Sequence, residues 1–338
     1  MSAAPGVSRR GLFSLGAARL VPGQEEVAAV GAALRGYREA EAGADPESLA
    51  ERARREWSIG DRTEPYAALA PAASELVEAA EVREGQAVLD AGAGDGNVAL
   101  AAAARGAAVV ALDLSPEAVE RGRRRCEQAG TRIDWRVGDV ESLPFPDAGF
   151  DAVLSSFGAM FGRRPRVVAA ELARVTRPGG VVAMATWAST GFMGRLLGIA
   201  DALDPQPPGA TRPARWGRYE SAFLWLGSVV ERFDMADRSL RLEFEGSEAA
   251  WEALSAPPGP LAAALARAPD AARQEAAGRG RALVDELGEP GPEGLAITAG
   301  YCLLAGVRAA GHQRGTPNPA QPAEPAASGL GGVSPRFA

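Results

Sequence analysis

The sequence predicts an α/β domain built on a mostly parallel sheet with helices on both faces. Three observations carry this reading. Between Gln86 and Trp187, short β-branched runs alternate with Ala-, Arg- and Glu-rich stretches of helical period, the pattern of parallel strands joined by crossover helices. The first strand runs directly into a loop with Gly92, Gly94 and Gly96 and then a helix, which is how open sheets present a ligand site at a strand's carboxyl end. A chain of 338 residues with 46% apolar content can also bury a full-sized core.

In order along the chain, residues 1–24 read as a leader without regular structure. Residues 25–80 read as a helical preface, with Val27, Val30, Leu34, Leu49, Leu69, Leu76 and Val77 at helical spacing and Pro46, Pro65 and Pro71 as breaks. The core over 81–190 is expected to hold strands at Ala87–Ala91, Ala108–Asp113, Ile133–Val137, Phe150–Ser155 and Gly180–Thr186. Its helices are expected at Asn97–Arg105, Pro116–Ala129 and Arg164–Thr176. Past Trp187 the pattern is broken by Pro205, Pro207, Pro208 and Pro213. A Trp-rich helix around Phe223–Val230, a strand at Arg238–Phe244, interrupted helix over Ala249–Leu287 and a last strand at Leu295–Val307 complete a segment 191–310 read as a substrate-selecting lid and the last strands. Residues 311–338 read as a disordered tail, since Arg314–Ala338 contains five Pro and four Gly.

Composition removes several chemistries. All 36 basic residues are arginine, so Schiff-base catalysis, pyridoxal-phosphate anchoring and the P-loop lysine are excluded. The single histidine, His312, sits beside the Pro-rich tail, which leaves a Ser-His-Asp triad and a His-rich zinc site without their base or ligands; no metal site is expected. A net charge of -7 argues against a phosphate-tracking surface and hence against nucleic acid as a partner. The local exception, Arg121-Gly-Arg-Arg-Arg125, reads as the solvated side of a helix. Cys126 and Cys302 read as unpaired core residues in a reducing compartment. Ser8-Arg9-Arg10-Gly11-Leu12-Phe13 resembles a twin-arginine export signal, but the following apolar run is short, contains Arg19 and lacks a cleavage site, so a cytoplasmic protein is expected. No run of about 18 apolar residues suggests a membrane span.

The chemistry concentrates in Val88-Leu-Asp-Ala-Gly-Ala-Gly-Asp-Gly-Asn97. Read as Gly94-x-Gly96-x-x-Ala99, it satisfies a loose dinucleotide fingerprint. Charge argues for another ligand: Asp90 and Asp95 stand where a pyrophosphate would lie, so a cationic ligand fits better. Asp113, at the end of the second strand, stands at the distance expected of a carboxylate that accepts from both ribose hydroxyls, a feature shared by nicotinamide and adenosyl cofactors.

Four motifs in order then resemble the class I S-adenosylmethionine-dependent methyltransferases, especially the ubiquinone and menaquinone C-methyltransferases. They are Asp90-x-Gly92-x-Gly94-x-Gly96; Asp113; Gly138-Asp139-Val140, with Leu143-Pro-Phe-Pro-Asp147 and Phe150-Asp151; and Leu172-x-Arg174-Val-x-Arg-Pro178-Gly-Gly180. The resemblance covers about Trp57 to Trp187. It implies a Rossmann-like, seven-stranded, mostly parallel sheet with a helical preface and a helical lid insertion, and S-adenosyl-L-methionine as cofactor. It also implies that Asp90, Ala91 and Gly92 lie near the methionine part, with Gly94 and Asn97 in the same loop. Asp113 and Leu114 would hold the ribose; Asp139 would accept from the adenine amino group, and Val140 would pack beside the ring. Ser155 and Ser156 would lie near the methionine or the substrate, although they also read simply as a strand end, and Asp139 also reads as a turn former after Gly138. Trp57-Ser-Ile-Gly60-Asp61, followed by Tyr66, resembles the segment that folds over the cofactor, with Arg62 where the family commonly has an aromatic; Trp57 also reads as a core anchor. The Trp-rich stretch from Trp216 to Trp225 reads as packing rather than a substrate box.

Methyl transfer from a sulfonium needs in-line geometry and exclusion of water more than a strong base. Any deprotonation would fall to an Asp, Glu or Tyr, with Asp61, Tyr66 and Tyr219 as candidates. The residues after the fourth strand, Ser155-Ser-Phe-Gly158, lack the Asn/Asp-Pro-Pro-Tyr motif of many amino-methylating enzymes, which favours a small-molecule acceptor at carbon, oxygen or nitrogen. Two alternatives stay open: a nicotinamide-dependent oxidoreductase, disfavoured by the acidic glycine loop and the absence of Tyr-x-x-x-Lys, and a cofactor-binding protein of the same fold without methyl transfer. The sequence leaves the oligomeric state open.

Overall fold

The computed structural model describes residues 45–59, 67–207 and 210–309. The expectations for the leader, the twin-arginine-like stretch, residues 25–44, Asp61, Tyr66, His312 and the tail lie outside the described residues.

Helix α1 (Pro46–Ser58) starts at Asp45, whose carboxylate accepts from the Ser48 N–H at 3.2 Å, and α2 (Ala70–Ala79) follows. Then comes the alternation: β1 (Ala87–Ala91), α3 (Asn97–Ala103), β2 (Ala108–Asp113), α4 (Pro116–Gln128), β3 (Asp134–Val137), β4 (Phe150–Ser156), α5 (Pro165–Val175) and β5 (Thr176–Trp187). Helices α1, α4 and α5 each begin with proline, whose missing N–H costs nothing in a first turn, and the Ser115 hydroxyl caps α4 by accepting from the Ala118 N–H. The second half contains α6 (Phe192–Leu203), α7 (Tyr219–Trp225), β6 (Arg232–Phe244), α8 (Ser247–Ser255), α9 (Pro260–Arg267), α10 (Asp270–Leu287), β7 (Gly288–Gly291) and β8 (Gly294–Val307).

The strand order is β3-β2-β1-β4-β5-β8-β6. The first five strands are parallel, and β8 runs antiparallel between β5 and β6. These are the seven expected strands; β7 is an eighth, paired with β8 through the hairpin that joins Gly291 to Gly294. Its sequence, Gly-Glu-Pro-Gly, reads as a turn and gains its strand geometry only from the neighbour. The Gly-containing stretch after Gly191, read as broken, forms α6. Phe192, Leu196, Leu197, Ile199 and Ala200 are buried along it, and that burial outweighs two glycines in its span. The Trp-rich helix lies earlier than expected, at Tyr219–Trp225, and β6 begins at Arg232, because its first half alternates weakly. Prolines divide the interrupted helix into α8, α9 and α10.

Consecutive residues of β4 and β5 are buried, Val153 and Leu154 in one and Val182 to Ala185 in the other, so both faces of the sheet are covered. Helix α2 packs against β4 and β5 through Ala72, Ala73, Leu76 and Val77. A second cluster forms around Trp251 from α6, α8, α9 and α10. Trp216 and Trp225 meet edge to face at 4.8 Å inside the main core, and Cys126 and Cys302 are buried and unpaired. Strand order reverses at β1, whose neighbours are β2 and β4, so the loops leaving β1 and β4 separate at their carboxyl ends and open a crevice there.

Candidate functional site

A cavity of about 810 Å³ occupies that crevice. One end is acidic. Asp90, near the end of β1, is 1% exposed; its Oδ2 accepts from the Ala99 N–H of α3 at 3.0 Å, while Oδ1 is buried with no hydrogen-bond partner. Burial pushes its carboxyl up to about 8, against the opposing Ala99 hydrogen bond and with smaller contributions from the nearby Asp113 and Asp95. The loop after β1 turns on three glycines with positive φ. The Gly92 and Ala93 N–H groups donate to the Leu112 carbonyl at 2.8 and 2.9 Å, and the Gly94 N–H donates to Asp113 Oδ2 at 2.8 Å. The other oxygen of Asp113 accepts from the Ser115 N–H at 2.9 Å. Each oxygen retains lone-pair capacity for a further donor. Burial raises the Asp113 carboxyl above its ordinary value, and these hydrogen bonds and the Arg121 charge oppose it.

Asp139 lies in the turn after β3, where Oδ1 accepts from the Glu141 N–H at 2.9 Å and burial raises the carboxyl. Glu141 fastens this turn to the segment after β4, accepting from the Arg164 N–H at 2.9 Å and from its Nε at 2.6 Å. Above the cavity the last turn of α1 meets the same segment. Glu56 pairs with Arg163, both buried, and Trp57 sits edge to face with Phe161 at 4.9 Å.

The Methyltransferase domain family model matches residues 88–180. An uncharacterized protein of Mycobacterium tuberculosis is 36% identical over 210 residues, covering 57% of this chain and 75% of the relative. The chain belongs to the class I S-adenosylmethionine-dependent methyltransferases. Another uncharacterized protein of the same organism is 43% identical over 170 residues, covering 48% of this chain and 61% of the relative. The chain thus spans less than two thirds of that relative. The demethylmenaquinone methyltransferase of Renibacterium salmoninarum is 40% identical over 117 residues, 35% of this chain and 48% of that enzyme.

Of the residues that this methyltransferase pattern singles out, Asp90, Gly92, Gly94, Asn97, Asp113, Leu114, Asp139, Val140 and Ser156 line the one cavity, as does Trp57. Ala91 and Ser155 do not. Ser155 donates to the Ala91 carbonyl at 2.6 Å and accepts from the Ala159 N–H at 2.8 Å, so its hydroxyl holds the strand ends together. Ser156 Oγ is buried without a hydrogen-bond partner. Tyr219 lies away from the cavity lining, stacked on Phe223 at 5.9 Å with Phe233 beside it, which removes it as a candidate base.

Several members of the site went unread in the sequence. The arginine run on α4 is not wholly a solvated face. Arg125 pairs with Asp95 at 3.2 Å and donates to Asn97 Oδ1 at 2.8 Å, and Arg121 lines the cavity. Their spacing of four, on the face that carries buried Ala118, is the signal that could have found them. Phe157, Gly158 and Arg163 also line the cavity.

Proposed function

We propose that the protein transfers the methyl group of S-adenosyl-L-methionine to a small-molecule acceptor. The observation that carries this reading is the orphan oxygen of Asp90 in a cavity end shared with Asp113 and Asp139: buried carboxylates with spare acceptor capacity suit a cationic ligand bearing hydroxyl and amino donors. A pyrophosphate at the same loop would bring further acceptors to Asp90 and Asp113; Asp95, the other acid of the loop, is paired with Arg125 and does not add to that. Asp90 and Gly92 would face the methionine part, Asp113 and Leu114 the ribose, Asp139 and Val140 the adenine, with Asn97 ordering the loop and Ser156 next to the reacting end.

When bound, S-adenosylmethionine would supply an electrophilic methyl group on a sulfonium, open to in-line displacement by the acceptor's nucleophile with release of S-adenosylhomocysteine and of the acceptor's proton to solvent. The chain's part is to bind, orient and exclude water. No His or Lys lines the cavity among the described residues, so positioning carries most of the rate. The helical stretch around α1 and the helices between Gly191 and Leu287 would act as the lid that selects the acceptor, over a core that holds the cofactor.

Two free buried cysteines fit a reducing, cytoplasmic setting, and no described helix is long and apolar enough to cross a membrane. The test is calorimetric titration with S-adenosylmethionine, S-adenosylhomocysteine and NADH, on the wild type and on Asp113→Ala. Micromolar binding of the adenosyl ligands, weakened at least about ten-fold in the variant by loss of charge-assisted hydrogen bonds, is the expected result. Binding of NADH alone would overturn the reading.

A further inference from the structure

Strand β6 is 13 residues long and ends the sheet. It pairs with β8 along its whole length without a bulge, and among the described residues no backbone group outside β8 bonds to it, so its other edge is unpaired there. Sheet edges are commonly kept from one another by shortness, a bulge or a proline. The opposite edge, β3, has four residues, but β6 uses none of these devices. What β6 carries is charge of both signs: Arg232, Asp234, Asp237, Arg238, Arg241 and Glu243. Charge of one sign would repel a second copy; mixed charge repels or attracts according to register.

Symmetry restricts that register. Residues directly opposite one another in an antiparallel pair share a face of the sheet, and a two-fold axis normal to the sheet carries each face onto itself. Because side chains alternate between faces, the axis must pass through a residue, which then meets its own copy. An axis on any of the six charged residues sets like charges opposite. An axis on Met235 sets Arg232 opposite Arg238, and one on Leu240 sets Asp237 opposite Glu243. Phe233, Leu242 and Phe244 lie so near the strand's ends that only a short stretch would pair. Two positions remain. An axis on Ala236 sets Asp234 opposite Arg238, both half-buried, and Arg238 is already engaged with Glu75 and the Asp237 carbonyl. An axis on Ser239 pairs the longer stretch 234–244, sets Asp237 opposite Arg241 twice over, and leaves no like charges opposite.

The side chains suit this second register. Asp237, Ser239 and Arg241 are exposed. Among the described residues the Asp237 carboxylate accepts only from the Cys302 thiol, at 3.5 Å, which leaves it capacity for a cation. Arg241 holds Glu243 at 2.7 Å through Nε and keeps further donors. Leu242 comes to stand opposite Ala236, both buried, so apolar rungs adjoin at the seam.

We propose that two copies of this chain join β6 to β6, antiparallel about Ser239, into one continuous sheet. The carboxyl end of the same strand, from Arg241 to Phe244, lines the cavity, so each copy backs the cavity wall of the other. The pairing does not depend on the cofactor reading.

The experiment measures the mass of the full chain by sedimentation equilibrium at micromolar concentration, in low and high salt. Twice the chain mass is expected for the wild type. Asp237→Arg sets arginine against Arg241 at two symmetric places and should raise the dimer dissociation constant at least about ten-fold. Arg241→Asp should do the same, and the Asp237→Arg, Arg241→Asp double variant should recover most of the loss. A second measurement reads the register. In Ser239→Cys the two thiols face each other across the axis, with Cα atoms about 4.5–5.5 Å apart, within disulfide reach. Diamide should therefore link this variant into a covalent dimer. In Asp237→Cys the two new thiols lie four residues apart along the strands, roughly 13 Å, and should stay unlinked, as should the buried Cys126 and Cys302 of the wild type. A monomeric wild type overturns the proposal. So does a dimer that Asp237→Arg leaves intact, or one that diamide links through Asp237→Cys and not through Ser239→Cys.

Discussion

Gly158, two residues past the end of β4, lies so close to Gly92 in the β1–α3 loop that a Cβ on it would stand 2.1 Å from the Gly92 carbonyl oxygen. The contact is backbone on backbone, so no rotamer change can relieve an added methyl group. Both glycines line the crevice, so the contact fixes the glycine loop against the segment that follows β4. Gly158→Ala is expected to lower stability by roughly 1–3 kcal/mol through overpacking and to weaken S-adenosylhomocysteine binding at least about ten-fold. Gly94→Ala is the comparison: a Cβ there meets nothing within 4 Å, and the cost is about 1–2 kcal/mol of left-handed backbone strain. Thermal melts and calorimetry on the two variants check this. A Gly158→Ala protein that melts and binds like the wild type would show that the close approach is not what positions the loop.

Asp90 links binding to pH. Its carboxyl titrates at about 8 in the folded chain and near 3.8 unfolded, so folding favours the protonated form. The stability this contributes is fully present below about 3.8 and is lost as pH rises through about 8, because between those values the folded state holds the extra proton. A cationic ligand favours the carboxylate, so binding below pH 8 should release a proton and affinity should climb with pH until it levels off near 8. Asp90→Asn is expected to flatten the decline of the melting temperature between pH 5 and pH 8, to stabilise the free protein at pH 8 and to bind S-adenosylmethionine much more weakly. Melting curves across pH, and calorimetry in buffers of different ionisation enthalpy, measure both. Proton uptake on binding would contradict this sign.

What was legible in the sequence was whatever local pattern decides. The bounds of β1 and β2 match their β-branched runs residue for residue, and the acids at strand ends were readable because a strand followed by a glycine loop fixes where its last side chains go. Contacts between distant segments were not readable. Nothing near Phe157 in the chain announces its stacking on Trp187, and nothing near Gly158 announces Gly92. Ser155 and Ser156 are adjacent and chemically identical, yet strand alternation turns one hydroxyl into the strand-end contacts and leaves the other buried without a partner. Helix α6 was hidden by its glycines, a local preference overruled by burial against α9 and α10.

The roof of the cavity depends on the pair formed by Glu56 and Arg163, joined by Arg52, whose Nε donates to Glu56 Oε1 at 2.9 Å. Glu56 is 1% exposed and Arg163 5% exposed, so removing either partner strands a charge that water cannot reach. Breaking such a pair costs roughly 3–5 kcal/mol. For Arg163→Met the low end applies, about 3 kcal/mol, because Arg52 stays beside Glu56. At roughly 2–4 °C per kcal/mol for a chain of this size, the melting temperature should fall by about 6–12 °C. In the Glu56→Gln, Arg163→Met double variant no carboxylate is stranded, and part of that loss should return. The double-mutant cycle separates the pair's own coupling from the packing lost with either side chain. If the single variant melts within about a degree of the wild type, the pair does not hold α1 over the cavity, and the closure must instead rest on the contact between Trp57 and Phe161.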